Sequence, residues 1–188
     1  MSGVILGIDP GLTRCGVAVI QQSAGRKVSM LFVDTFKTPP DMPLEDRIFR
    51  ISEGIEAVIK RFKPSSLAIE RVFAQANLRS VMGVAQISGV VLYLAKKYEL
   101  PVSFHTPSEV KAAVTGSGRA EKAQIGQAVM KILDLKEIPK PADSADALAI
   151  AICNAWKNSS VLSGTGSATS AQQAWLEAER VARRKLKA

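Results

Sequence analysis

One histidine, His105, occurs in the whole sequence. That excludes any internal site built on two imidazoles, including the H-E-x-x-H zinc peptidases. The two cysteines, Cys15 and Cys153, stand far apart and in no C-x-x-C pair, so they are expected as reduced thiols of a cytoplasmic protein. No apolar run reaches the roughly 18 residues of a membrane span. The first residues lack a basic stretch and include Asp9, so no secretory signal and no membrane association are expected. There is no internal repeat. Acid is the scarcer charge: 17 Asp and Glu stand against 25 Lys and Arg, a net +8. Such an excess suits a polyanion such as nucleic acid, although many small proteins are simply basic. Hydrophobic residues make up 47% of the 188, enough for one full core.

Val4 to Asp9 is a short apolar run stopped by Pro10-Gly11, the pattern of a buried strand and a tight turn. Gly16–Gln21 and Val28–Thr35 follow as strands, and the short turns between them predict antiparallel hairpins. From Leu44 to Phe62, Leu44, Ile48, Ile51, Ile55, Val58 and Ile59 recur at helical spacing, and Pro64 closes the helix. Leu67–Glu70 is a fourth strand. Reached through a helix, it is expected to run parallel to the first. A long helix over Ala76–Tyr98, a strand over Val102–His105 and a helix start at Thr106-Pro107-Ser108 come next. A break at Thr115–Gly118 precedes a helix over about Ala120–Leu135, and Ala142–Trp156 forms a last, strongly apolar helix. Met30, Met82 and Met130 are expected in the core. The composition of Ser159–Ser170 is that of a linker, which divides the chain into a domain over 1–158 and a basic tail over 159–188. The order of elements matches a ribonuclease H-like α/β fold, a five-stranded mixed sheet flanked by helices. Three opening strands argue against a doubly wound nucleotide-binding fold.

Four acids stand at the ends of these elements. Asp9 ends the first strand and Glu70 the fourth. If those strands are parallel neighbours, both carboxylates emerge at the sheet edge that ligands favour in open α/β sheets. Each ends an apolar strand, where an unpaired carboxylate is costly, and two of them repel. A divalent cation resolves the conflict, and oxygen-only ligands select Mg²⁺ or Mn²⁺. Asp143 and Asp146 open the last helix three residues apart, on one face. On spacing alone they are equally well read as capping residues, and Asp9 as a turn initiator before Pro-Gly.

The strings GIDPGLTRCG, AIERVF, HTPSEVKAAVTGSGRAEKAQ and PADSADALAIAI resemble the RuvC family, the bacterial Holliday-junction resolvases among the ribonuclease H-like nucleases. The resemblance runs from about Val4 to Trp156 in the family's order and spacing. It implies that Asp9, Glu70, Asp143 and Asp146 hold two metal ions, Mg²⁺ with Mn²⁺ as a substitute. It also implies a homodimer that acts on four-way junction DNA beside a RuvA–RuvB branch-migration complex. Two cations can both activate a water and stabilise a leaving 3′-oxygen without a histidine base.

Phe73 follows Glu70 by three residues in a stretch of loop composition (RVFAQANLRS) and can be read either as core or as an aromatic that stacks on an unpaired base. The resemblance favours the second, at the junction centre. Arg71 and Arg79 flank it as candidate phosphate contacts. Lys111 and Lys122 are surface lysines on the bland reading, while the resemblance places functional lysines at both positions near the scissile phosphate, Lys122 with a catalytic part. Small residues at Gly83, Ala85, Ser88 and Gly89 mark a candidate dimer face. His105 is expected to make a local hydrogen bond, and Cys15 to pack. An ATP-dependent kinase of the actin and hexokinase class shares the D-x-G-x-T pattern of Asp9–Thr13, but needs a second, similar domain for which 188 residues leave no room. A non-catalytic DNA-binding protein would not need the four acids. A ribonuclease H-like nuclease acting on hybrids or linear DNA is set aside only by the resemblance.

Overall fold

The computed structural model describes residues 3–71 and 78–162. Its elements are β1 (Gly3–Asp9), β2 (Arg14–Gln22), β3 (Val28–Lys37), α1 (Leu44–Phe62), β4 (Ser66–Glu70), α2 (Leu78–Lys97), β5 (Val102–His105), α3 (Pro107–Thr115), α4 (Lys122–Ile132) and α5 (Ala142–Leu162). One compact unit takes in Met1–Lys157, and a second begins at Asn158.

The sheet order is β3-β2-β1-β4-β5. β1 pairs antiparallel with β2, and β2 with β3, as short hairpin links require. β4 lies parallel to β1, and β5 parallel to β4. This is the ribonuclease H-like arrangement expected from the order of elements. The turn between β2 and β3 passes through Gly25 at φ 69°, a left-handed conformation that suits glycine.

Alternation along the strands sorts side chains onto two faces. Leu6, Ile8, Cys15, Val17, Leu67 and Ile69 share one apolar cluster with Ile51, Ile55, Ile59, Ile87 and Val91 of α1 and α2. Ile5, Ala18, Ile20 and Ala68 share the other with α5 and with Val110, Val114, Ile125 and Val129 of α3 and α4. α1 buries a single stripe and carries acids in its first turn and bases in its last, matching the helix dipole. It stops where Lys63 takes a left-handed φ of 46° ahead of Pro64, which cannot continue a helix. α5 is buried almost all round, from Ala147 to Cys153 without a break. Such a helix has apolar neighbours on both sides: here the sheet and the α3–α4 pair.

Glycine makes that packing possible. A Cβ on Gly7 would meet Ala151 Cβ at 2.8 Å, and one on Gly16 would meet the Asp143 carbonyl carbon at 3.0 Å and Ala147 Cβ at 3.2 Å. α5 therefore rests directly on the backbones of β1 and β2. Thr35 and Ser144 share a buried 2.9 Å hydrogen bond that ties its first turn to β3. Near its other end the Gln22 amide donates to the Ala155 carbonyl at 2.9 Å, and Trp156 Nε1 donates to the Arg26 carbonyl at 2.9 Å. α5 runs on to Leu162, past Trp156, where the apolar pattern stops. Met82 and Met30 are exposed, against the expectation of core positions. Each lies on the outward side of its element, where a flexible apolar chain is tolerated.

α3 begins with a capping box. Thr106 accepts from the Glu109 amide, and Glu109 accepts from the Thr106 amide at 2.8 Å. Glu109 also pairs with Lys157 of α5 at 2.7 Å. Burial alone would raise this carboxyl, but the Lys157 ion pair and the Thr106 amide outweigh it and bring the pKa down to about 2 from 4.5. A depressed acid contributes stability above its unfolded pKa, and that stability is lost as pH falls through the folded value. Wild-type thermal midpoints should therefore fall between pH 4.5 and about 2 more steeply than those of Glu109→Gln. At neutral pH the variant should be less stable by about 1 kcal/mol, the usual size of a lost cap. Parallel pH profiles for the two proteins would refute the linkage.

Candidate active site

Asp9 and Glu70 follow Ile8 and Ile69, which are register partners in the parallel β1–β4 pair. Both acids therefore leave the sheet at one edge. Both also lie on the face that carries Ile5 and Ala68, the side covered by α5. Asp143 and Asp146 stand in the first turns of α5, seated above Gly16, which is the strand partner of Asp9. The fold thus brings together four acids that the sequence spreads from position 9 to position 146.

Their electrostatics follow from that proximity. The Asp9 carboxyl is raised to about 7, first by burial and then by the negative charges of Glu70, Asp146 and Asp143, with Lys122 opposing. Glu70 is raised by burial and by Asp146, while Lys122 and Lys111 pull it down. Lys122 Nζ lies 3.4 Å from Asp146 Oδ2, and this partner holds the Lys122 ammonium above its usual range. Lys111 and Lys122 therefore both face the acids. Burial pushes the Cys15 thiol up to about 12, and its side chain packs in the apolar cluster under α1 and α2, on the face opposite to that of Asp9.

Among the described residues, no three His, Cys, Asp or Glu side chains are drawn together tightly enough to hold a metal ion as they stand. The donor chemistry nonetheless fits a hard dication: oxygen ligands only, partly desolvated, and negative charge in excess of the one paired lysine.

The loop after Asp9 is held from outside. Thr38 Oγ1 donates to the Leu12 carbonyl at 2.5 Å, the Thr38 amide to the Thr13 carbonyl at 3.1 Å, and Arg47 to Thr38 Oγ1 at 2.9 Å and Thr13 Oγ1 at 2.8 Å. Sequence reasoning missed these residues, because a Thr or Arg at a strand end carries no pattern of its own. It also missed Gly7 and Gly16 as the seat of α5, although glycine inside a strand signals close backbone approach.

Arg71 is exposed, with its guanidinium 6.0 Å from the Phe104 ring. Phe73 lies outside the described residues. Arg79 falls in the first turn of α2, and its side chain is outside them too. His105 is buried, and its Nε2 lies 3.2 Å from Asn154 Oδ1 on α5. Its partner is thus long-range and not the local one expected. Its Nδ1 has no partner among the described residues.

A family model described as "Crossover junction endodeoxyribonuclease RuvC" matches residues 5–154. This chain belongs to the RuvC family. A RuvC of Leifsonia xyli is 51% identical over 94% of this chain and 91% of its own length. A RuvC of Rhodococcus jostii is 55% identical over 81% of each. Among solved structures, Thermus thermophilus RuvC in complex with a Holliday junction substrate matches with a TM-score of 0.80 and 35% identity. That match covers 84% of this chain and 96% of the other. The family is one of endodeoxyribonucleases, and RuvC-family membership is what the resemblance in the sequence implied.

Proposed function

We propose that this chain is a Holliday-junction resolvase that works as a homodimer, cutting two opposed strands of one four-way junction at symmetric positions in recombination and repair. The observation that carries the reading is the gathering of Asp9, Glu70, Asp143 and Asp146 on one face at one sheet edge, where the other three all raise the Asp9 carboxyl. These four acids would hold Mg²⁺, with Mn²⁺ as a substitute, as two ions in each site. Metal bound there would supply an activated water and stabilise the leaving oxygen. Lys122 and Lys111 present positive charge to the same acids and are proposed to hold the scissile phosphate, with Lys122 also held against Asp146. Loss of the 3′-oxygen leaves 5′-phosphate and 3′-hydroxyl ends, which are ligatable. Phe73 is proposed to stack at the junction centre, flanked by phosphate contacts from Arg71 and Arg79.

One acidic cluster accommodates one phosphodiester, so paired nicks need two subunits. The outward side of α2 suits a two-fold contact: Met82 and Tyr93 are 59% and 66% exposed, and Gly89 has open space where a Cβ would stand. A two-fold interface repeats such a patch on both partners. Gly83 does not belong to that face, since it is buried against Leu12. The domain over 1–158 is proposed to carry the chemistry and the basic tail over 159–188 to add sequence-independent DNA affinity. A cytoplasmic location and cooperation with RuvA–RuvB complete the reading.

The test uses purified full chain, a synthetic four-way junction and a linear duplex of the same sequence. Nicks should appear on opposed junction arms only with Mg²⁺ present, and the linear duplex should stay intact. Ca²⁺ should support binding but not cutting, because its coordination is looser. A mixed dimer with one Asp9→Asn subunit should nick one strand. Equal cutting of linear duplex, or bilateral cutting by a verified mixed dimer, would overturn the proposal.

A further inference from the structure

The edge that carries the acids also carries cations that the catalytic reading does not use. Arg14 and Lys37 are register partners across β2 and β3, so their side chains stand on one face. That face is the acids' own: Gly16, two residues along from Arg14, underlies Asp143, and Thr35, two residues before Lys37, bonds Ser144. Both are exposed. Like charges directly opposite each other on a sheet are unfavourable. Among the described residues no acid relieves this pair, since the ion pairs are Lys60–Glu56, Lys97–Glu56, Lys122–Asp146 and Lys157–Glu109. Neither cation is among the charges that act on Asp9 or Glu70.

A lysine on an edge strand is a common device against strand addition, and β3 is an edge. Arg14 has no such explanation, because β2 is interior. Its backbone is also fixed: a Cβ on Gly11 would collide with the Arg14 carbonyl, leaving no slack in the turn after Asp9. On the opposite face of the same edge, Arg47 braces Thr13 and Thr38, the residues next to Arg14 and Lys37. The pair is thus a preset positive patch, about 7 Å along the strand from the partner of Asp9 at two residues' rise. Lys111 and Lys122, by contrast, act on the acids directly, from α3 and α4.

We propose that Arg14 and Lys37 form a second phosphate-binding site, which takes the backbone of a DNA duplex arm on the β2–β3 side of the acids. This rests on the junction-resolvase reading and adds to it the path of the DNA beyond the cut. Phosphate is the complement that a fixed, acid-free cation pair beside a nuclease centre fits, and a duplex supplies successive phosphates at that scale.

The experiment is binding of the full chain to a synthetic four-way junction, and to a linear duplex of the same sequence, in Ca²⁺ over a series of salt concentrations. Wild type is compared with Arg14→Gln/Lys37→Gln and with the equally neutralised control Lys27→Gln/Lys131→Gln. Two lost phosphate contacts should make the salt dependence of log affinity shallower by about 1.8 and weaken binding between about ten- and a hundredfold near 0.1 M salt. The control should keep the wild-type slope, and the thermal midpoint of the Arg14/Lys37 double variant should not fall. Each single variant carries the same test at half the slope change, so a folding defect in the double cannot hide the answer. Equal slopes in the Arg14/Lys37 variants and wild type would overturn the proposal. If wild type itself prefers linear duplex to the junction, the resolvase reading fails instead, and the two failures are distinguishable.

Discussion

Asp9→Asn is expected to abolish strand cutting while leaving junction binding intact or tighter. On the proposed reading the carboxylate would hold metal and not the DNA backbone, so its loss would remove the cation and some repulsion of phosphate together. Glu70→Gln, which leaves the parallel strand beside it, should behave alike. The expected loss is at least about 10³-fold in rate at saturating Mg²⁺, because several kcal/mol of charge stabilisation go with the metal. A second readout separates this from a folding defect. An acid whose folded pKa lies above its unfolded value destabilises the fold once pH exceeds the unfolded value, and the penalty grows up to the folded one. For Asp9 that window runs from 3.8 to about 7. In EDTA at pH 8, Asp9→Asn should therefore have a higher thermal midpoint than wild type, with the gap closing toward pH 4. Added Mg²⁺ should stabilise wild type more than the variant. Near-wild-type cutting by either variant would remove that acid from the site.

Gly16→Ala should injure both fold and activity, through a residue that has no side chain of its own to bring to the chemistry. Its added methyl would meet the Asp143 carbonyl group and Ala147 Cβ. The obstacle is backbone, so no side-chain rotation can relieve it. α5 must lift at its N-terminal end, against the Thr35–Ser144 bond and the buried side chains from Ala147 onward. Overpacking of this kind costs about 1–3 kcal/mol. The lifted end is the one that carries Asp143 and Asp146, and a misplacement of about 1 Å can cost about a hundredfold in rate. Thermal melts and single-turnover cutting of a bound junction measure the two effects separately. A wild-type melt together with a wild-type rate would show that the glycine seat does not set the position of these acids.

Much of this molecule was legible before any coordinates. The three opening strands, the stripe of Ile51, Ile55, Val58 and Ile59, the Thr106 cap and the end of α1 before Pro64 are local events, written in short-range periodicity and in backbone restriction. The parallel pairing of β4 with β1 followed from the helix between them. Given that pairing, the joint emergence of Asp9 and Glu70 at one edge followed as well. The family was legible in strings such as GIDPGLTRCG and PADSADALAIAI.

Tertiary structure alone decided the rest, because it depends on contacts between residues far apart in the chain. Spacing could not separate Asp143 and Asp146 as capping residues from Asp143 and Asp146 as partners of Asp9. Packing of α5 over Gly16 places them beside it, and their charges then act on its proton. His105 looked like a strand-end residue, and the buried Asn154 that it meets lies 49 positions away. Met82 and Gly83 are neighbours in sequence, yet one faces outward and the other lies against Leu12, because helical rotation turns consecutive residues about 100° apart. Arg14 and Lys37 became a pair only when the β2–β3 register set them opposite each other. The sequence by itself determined the elements, their order and the acids at their ends. Which of those ends meet was settled by strand register and by the two glycines that let a buried helix rest on the sheet.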